Sequence, residues 1–297
     1  MSMRARGVVC VLVTALFCGA PQALYGLQWK ALHEQADRIN LTEALVSSQG
    51  DPGSLGSFYT LGLVYLNLYK TKEAEGVFKK MLQMSPASVE AQWGIAELLR
   101  RKHYLKESQV MLKNIIKETP DFSPALITLA YIQYTNKAYS ESLVLAEKVL
   151  AQGKDVVDTS NYTRALLIVA GSKGMLAHYG GPLAKVSHGL QVLTYLKKAQ
   201  RLQPDTAGVL FGFGGFYLLA PAIVGGNSNK AVEYLEKTIK TDPFFTDAYV
   251  RLAQAYKVKG DKEKYAFYLK KAREIDPQNE LAIDIESGKC DFICVGK

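Results

Sequence analysis

The chain has 297 residues, 48% of them hydrophobic and 22% charged, a composition that excludes a disordered protein. A mean hydropathy of −0.02 excludes a polytopic membrane protein. The formal charge of +8 comes from Lys and Arg spread along the chain, which argues against a nucleic-acid tail, and no nucleic-acid partner is expected.

Residues 1–23 carry Arg4 and Arg6, an apolar run from Val8 to Phe17, and then small or turn residues including Gly19, Ala20, Pro21 and Ala23. This is the layout of a secretory signal peptide. The alternative is an uncleaved anchor, because no charge occurs between Arg6 and Lys30 and about 20 apolar residues span a bilayer. Either reading places the remaining chain in the periplasm or cell envelope, touching the membrane only through an uncleaved N-terminus. Cleavage removes Cys10 and Cys18 and leaves Cys290 and Cys294.

Residues 28–50 place Trp29, Leu32, Ala36 and Ile39 at helical spacing, which predicts a helix capping the structure that follows. The segment SSQGDPGSLGS then breaks the chain.

From residue 55 onward a 34-residue period organises the sequence. Pro86 and Pro120 are 34 apart, and so are Pro243 and Pro277. Each closes an amphipathic segment with a charged outer face: EAEGVFKKMLQMSP, ESQVMLKNIIKETP, KAVEYLEKTIKTDP and KYAFYLKKAREIDP. Proline lacks an N–H and clashes with the preceding turn, so it stops each helix. Small residues at Gly62, Ala74, Ala96, Ala130 and Ala253 let helices approach, while Tyr65, Phe78, Tyr256 and Leu269 fill the layer between them. A single unit of this kind cannot bury its apolar face, and stacking does so.

These residues resemble the tetratricopeptide repeat (TPR). In residues 55–88, Gly62, Tyr65, Ala74, Phe78 and Pro86 fall at its signature spacings. Residues 89–122 supply Ala96, Ser108, Leu112 and Pro120; residues 123–156 supply Ala130, Ser142, Ala146 and Val149, with Lys154 replacing the terminal proline. Residues 246–279 supply Leu252, Ala253, Tyr256, Leu269, Ala272 and Pro277. The resemblance implies an all-α fold, a right-handed solenoid of helix-turn-helix repeats. It gives three units over 55–156 and one over 246–279, in a scaffold for protein–protein interaction.

Residues 157–240 form two irregular units. A long helix over 159–178 leads to the break HYGGPLAKVSHG, and the second unit carries an excess at APAIVGG between its helices. Insertions in solenoids map to loops on one face, often the binding face, and equally adjust the superhelical pitch. Gly208, Gly212, Gly214 and Gly215 recur on one helix and point to close approach of another backbone or a ligand. The stretch FGGFYLLAPAIVGGNSNKAVEYLEKTI also resembles the T-component of tripartite ATP-independent periplasmic (TRAP) transporters. The likeness is carried by Pro221, Gly225, Gly226, Lys230, Ala231, Glu236 and Lys237. It implies the alternative function, a periplasmic accessory protein that binds a hydrophobic small ligand.

Residues 280–297 read as a short helix, NELAIDIESG, and a tail, KCDFICVGK, in which Cys290 and Cys294 are disulfide candidates with free thiols or metal binding as alternatives. No phosphate-binding loop, GxSxG elbow or HExxH is present. His178 and His188 have no Cys, Asp or Glu at ligand spacing. No catalytic residue, metal site or cofactor is therefore expected, and an envelope enzyme centred on these histidines is the most distant reading.

The TPR resemblance places the first helix of each unit on the concave wall. The expected partner-binding residues are Tyr59, Trp93, Arg101, Tyr131, Tyr134, Phe211 and Lys257, with Leu63, Glu97, Ile127, Gly215, Leu218, Val250 and Gln254 beside them. An aromatic wall rimmed by charge suits a protein or peptide segment, or a hydrophobic small ligand. The same rings equally suit packing against an adjacent helix or the N-terminal cap.

Overall fold

The computed structural model describes residues 28–295, so the expected leader at residues 1–23 lies outside the described residues. Helices α1 (Trp29–Ala36) and α2 (Leu41–Gly50) come first. They are followed by α3 (Leu55–Asn67), α4 (Thr71–Met84), α5 (Val89–Arg101), α6 (Leu105–Glu118), α7 (Ser123–Thr135) and α8 (Tyr139–Gln152), three antiparallel pairs. The fourth unit is longer. It comprises α9 (Thr159–Tyr179), the short turn α10 (Pro182–Ala184), a π-helical turn at Lys185–Gly189, and α11 (Leu190–Leu202). Helices α12 (Ala207–Leu219) and α13 (Ser228–Thr241) make the fifth unit, and α14 (Thr246–Val258) and α15 (Lys262–Ile275) the sixth; α16 (Glu280–Glu286) leads into the tail. All regular elements among the described residues are helical, and none is long and apolar enough to cross a membrane.

The helix ends follow from local chemistry. Pro86, Pro120, Pro204, Pro243 and Pro277 each stand two residues beyond the last helical residue. There they cost no hydrogen bond and bar continuation, since proline disfavours the α conformation of its predecessor. Where the proline is missing, after α8, Gly153 stops the chain with a φ of 85°. Side chains of Ser54, Ser88, Asp158, Asn227, Asp261 and Asn279 accept backbone N–H bonds at six helix starts.

Two segments differ from expectation. The single capping helix predicted over 28–50 is two helices, because Asn40 forms a reciprocal capping box with Glu43 and begins a new one. The predicted break after His178 is short, since helical structure resumes at Pro182, a residue suited to a first turn.

Neighbouring units interlock through small residues. Phe78 is fully buried between Gly62 and Gly94, where an added Cβ would lie 2.6 Å and 2.5 Å from its ring atoms. In the fifth unit, Gly212 and Gly214 similarly admit Leu196 and Leu235, at 2.8 Å and 2.7 Å from an added Cβ. Most of the glycine run on α12 therefore serves helix contact, whereas Gly215 faces open space.

The stack also meets itself. The turns that join the two helices of the first three units hold Tyr69, His103 and Lys137, spaced 34 apart and all at positive φ (57°, 62° and 65°). Tyr69 donates its hydroxyl to Asp242 at 2.5 Å and its ring lies against Phe244. His103 bridges Asp276 (3.1 Å) and Glu280 (2.9 Å), and Lys137 pairs with Asp291 in the tail. Unit by unit, one edge of the first half thus rests on the junctions of the second.

Candidate functional site: the inner wall and what fills it

The inner wall is built by the first helix of each unit. Tyr59 on α3 and Trp93 on α5 point to the same place and are 0% and 2% exposed. Helix α1 covers them. Its His33 ring lies 5.5 Å from both, while Trp29 meets His33 and Phe122 edge-on. Both His33 nitrogens have partners: Nε2 with the Tyr59 hydroxyl at 2.8 Å, and Nδ1 with the Asn161 side-chain amide at 3.3 Å. Burial holds the imidazole neutral, down to a pKa of about 3, against the smaller opposing pull of Asp37.

Beneath α1 lies a buried ionic node. Glu97 accepts from Arg100 (2.7 and 2.9 Å) and from Arg101 (2.9 Å), and Arg101 also donates to the Leu66 carbonyl at 2.7 Å. Burial opposes ionisation of Glu97, but Arg100 and Arg101 outweigh it and keep the carboxylate well below its ordinary range. Trp93 joins the node by donating Nε1–H to Thr128 at 3.1 Å. Arg101 is therefore a structural tie between the first two units, and Arg100 stacks over Tyr131 at 4.7 Å.

The tail occupies the far end of the wall. Cys290 and Cys294 are bonded to one another. Within that ring Cys290 and Ile293 take positive φ, which turns the Phe292 and Ile293 carbonyls toward Arg251 at 2.7 and 3.0 Å. Asp284 accepts the Asp291 and Phe292 N–H groups, so both sides of the ring are fixed. The Phe292 ring stacks on Tyr134, which in turn meets Tyr139.

The expected site residues are thus distributed among three places. Tyr59 and Trp93 meet under α1, with the Arg101 tie beneath them, whereas Tyr131 and Tyr134 face the sixth unit and the tail. Phe211 packs on Phe245, and exposed Lys257 borders a small hollow lined by Gln254, Ile285, Cys290 and Cys294. His33 and Phe292, which complete the wall, were absent from the expected set. Their signal in the sequence is a ring at helical spacing beside Trp29 and an aromatic inside a cysteine pair.

A larger open cavity of about 730 Å³ lies between α1–α2 and the start of α9, lined by Asp37, Asn40, Asn67, Ser160 and Gln203 among others. Among the described residues no cluster of His, Cys, Asp and Glu could hold a metal ion.

The sequence pattern of the tetratricopeptide repeat matches residues 246–279. No curated protein matches the chain. Solved structures similar to it include a tetratricopeptide repeat protein from Parabacteroides merdae, at 15% identity and a TM-score of 0.52 over 88% of this chain and 98% of that one. The APC/C hetero-tetramer Cut9–Hcn1 is similar at 15% identity and a TM-score of 0.58, over 86% of this chain and 47% of that one. The human IFIT1 dimer with PPP-AAAA is similar at 16% identity and a TM-score of 0.55, over 81% and 61%. Residues 246–279 thus match the tetratricopeptide repeat, and the described chain is folded as an all-helical solenoid like those of TPR proteins.

Proposed function

We propose that the protein is an exported, non-catalytic scaffold whose inner wall receives a helical segment of a protein partner. One observation carries this reading: the wall already holds a helix of that kind. Helix α1 presents Trp29 and His33 to Tyr59, Trp93 and Phe122, the helix-in-groove mode in which a few anchors from one helix face enter an aromatic surface. A partner segment with an aromatic and a hydrogen-bonding residue four apart would find the same contacts once α1 yields.

The test uses a full chain carrying Trp29→Ala and His33→Ala, with its helix content checked by circular dichroism. A labelled peptide spanning residues 28–40 should bind this variant saturably, bind the unmodified chain much less, and lose binding when Trp93→Ala is added. Failure to bind in trans, or binding indifferent to Trp93, would refute the reading of the wall. Cell fractionation tests export separately: the protein should be found in the envelope or periplasmic fraction.

A further inference from the structure

The two insertions lie at equivalent places. One replaces the short turn between the paired helices of the fourth unit (residues 180–189), and the other replaces that turn in the fifth (residues 220–227). They flank one apolar cluster, to which the fourth unit contributes Val192 and the fifth Phe216. In the first three units the corresponding turns are covered by the junction of the fifth and sixth units, the segment after the sixth, and the tail, through Tyr69, His103 and Lys137. Among the described residues nothing covers this edge, and its tips are aliphatic. Leu183 is 86% exposed, Leu190 64% and Ile223 93%, with Val186 and Val224 exposed beside them.

Charge accompanies this apolar edge. Residues 159–232 contain seven lysines and arginines against a single acid, Asp205; five of them, Lys185, Lys197, Lys198, Arg201 and Lys230, are exposed, while Lys173 is buried against Glu147 and Arg164 is half-buried beside Asn161. Along the helical stretch from Pro182 to Leu202, one exposed stripe runs Leu183, Val186, Leu190, Thr194, Lys197, Arg201, passing from aliphatic to cationic. Lys185, Lys198 and Lys230 are exposed around it, and Glu233, the first acid beyond, pairs with Lys237. Large exposed aliphatics without acidic neighbours are costly in water and mark a surface that meets something apolar. A protein partner would need a complementary apolar and acidic patch. An anionic bilayer supplies both features together, acyl chains for the tips and phosphates for the cations.

We propose that this free edge of the fourth and fifth units seats on an anionic phospholipid surface, with Leu183, Val186, Leu190, Ile223 and Val224 entering the headgroup–acyl boundary and Lys185, Lys197, Lys198 and Arg201 over the phosphates. This contact is separate from any N-terminal attachment and independent of what the inner wall holds.

The test reads immersion locally, so that the apolar N-terminal segment does not obscure it. Full-length chains carrying Leu183→Trp, or Val110→Trp on the exposed face of α6 as reference, are mixed with phosphatidylcholine vesicles containing brominated acyl chains, with and without phosphatidylglycerol. After subtraction of the Trp29 and Trp93 emission of the unmodified chain under the same conditions, only the Leu183→Trp signal should shift to the blue and be quenched, and only when phosphatidylglycerol is present. Adding Ile223→Ser should lower the apparent vesicle affinity about tenfold. Adding Lys185→Gln, Lys197→Gln and Lys198→Gln should lower it on the order of fivefold per charge at low salt. No quenching, equal quenching at both positions, or equal response to neutral vesicles would overturn the proposal. So would a dimer in sedimentation equilibrium that dissociates on Ile223→Ser, which would assign the edge to a second copy of the chain.

Discussion

His103 and Asp276 lie 173 residues apart in sequence and 3.1 Å apart in space, and the same sequence interval joins Tyr69 to Asp242. Both aspartates directly precede the terminal proline of a unit, while Ser85 and Thr119 hold that position in the first two. The reaching residues adopt the left-handed conformation, which costs a residue other than glycine about 1 kcal/mol or more. The sixth unit, whose turn touches no later unit, uses Gly260 at the corresponding place, with a φ of 77°. The side chains at 69, 103 and 137 join the first three units to the later junctions and the tail at that conformational cost.

The His103 contact should depend on pH in a definite direction. Burial disfavours its charged form, but Glu280 and then Asp276 outweigh burial and raise its pKa above 6.5. A raised folded-state value means that its stabilisation is fully present below 6.5 and is lost as pH rises through that value. Urea unfolding of the unmodified chain and of His103→Ala should therefore differ more at about pH 5.5 than at about pH 8.5. Equal differences at both would show that no proton is involved.

His33 has the opposite sign. It is neutral when folded and its pKa falls from 6.5 to about 3, so its contribution is complete above 6.5 and is lost as pH falls toward 3. Protonation in the buried setting should cost about 1.4 kcal/mol per pH unit within that window. A His33→Gln chain, which carries no proton to gain there, should lose less stability than the unmodified chain between about pH 6.5 and 4 in urea titrations.

Two glycines offer a contrast in steric cost. Gly94→Ala drives a methyl into the Phe78 ring and should destabilise by about 1–3 kcal/mol in thermal or urea unfolding. Gly76→Ala, on the exposed face of α4 with nothing near its added Cβ, should stabilise by up to about 1 kcal/mol. If both behave alike, the packing of Phe78 between its two glycines is not as described.

Opening the Cys290–Cys294 ring should act locally. The paired Cys290→Ser and Cys294→Ser chain should lose hydrogen-exchange protection at residues 291–293, whose backbone groups bond Arg251 and Asp284. So small a loop adds little chain-entropy stabilisation, so its unfolding midpoint should fall by only a few degrees. Unchanged protection would mean that the Arg251 and Asp284 contacts hold the tail unaided.

The repeat itself was legible because its signals are local. Five prolines two residues past helix ends, small residues at close crossings and a 34-residue spacing in the regular units all act within one or two units. The break between α1 and α2 was legible in principle, since Asn-x-x-Glu at 40–43 is a capping box, but the helical spacing of Trp29, Leu32, Ala36 and Ile39 masked it. The filling of the inner wall was not. Tyr59 and Trp93 look the same in sequence whether they face solvent, a partner or α1, and the difference is set by a segment some 30 to 60 residues away. The junction contacts were hidden for a similar reason: a tyrosine, a histidine and a lysine in tight turns read as ordinary exposed residues until the curvature brings Asp242, Glu280 and Asp291 opposite them.

Solenoids held only by neighbour contacts tolerate duplication or deletion of whole modules and can melt from their ends. The 173-residue register removes that freedom. Deleting one 34-residue module between Lys137 and Asp242 would leave Tyr69, His103 and Lys137 opposite the wrong junctions, so the interval between the two edges is an architectural constant and melting should be a single cooperative event.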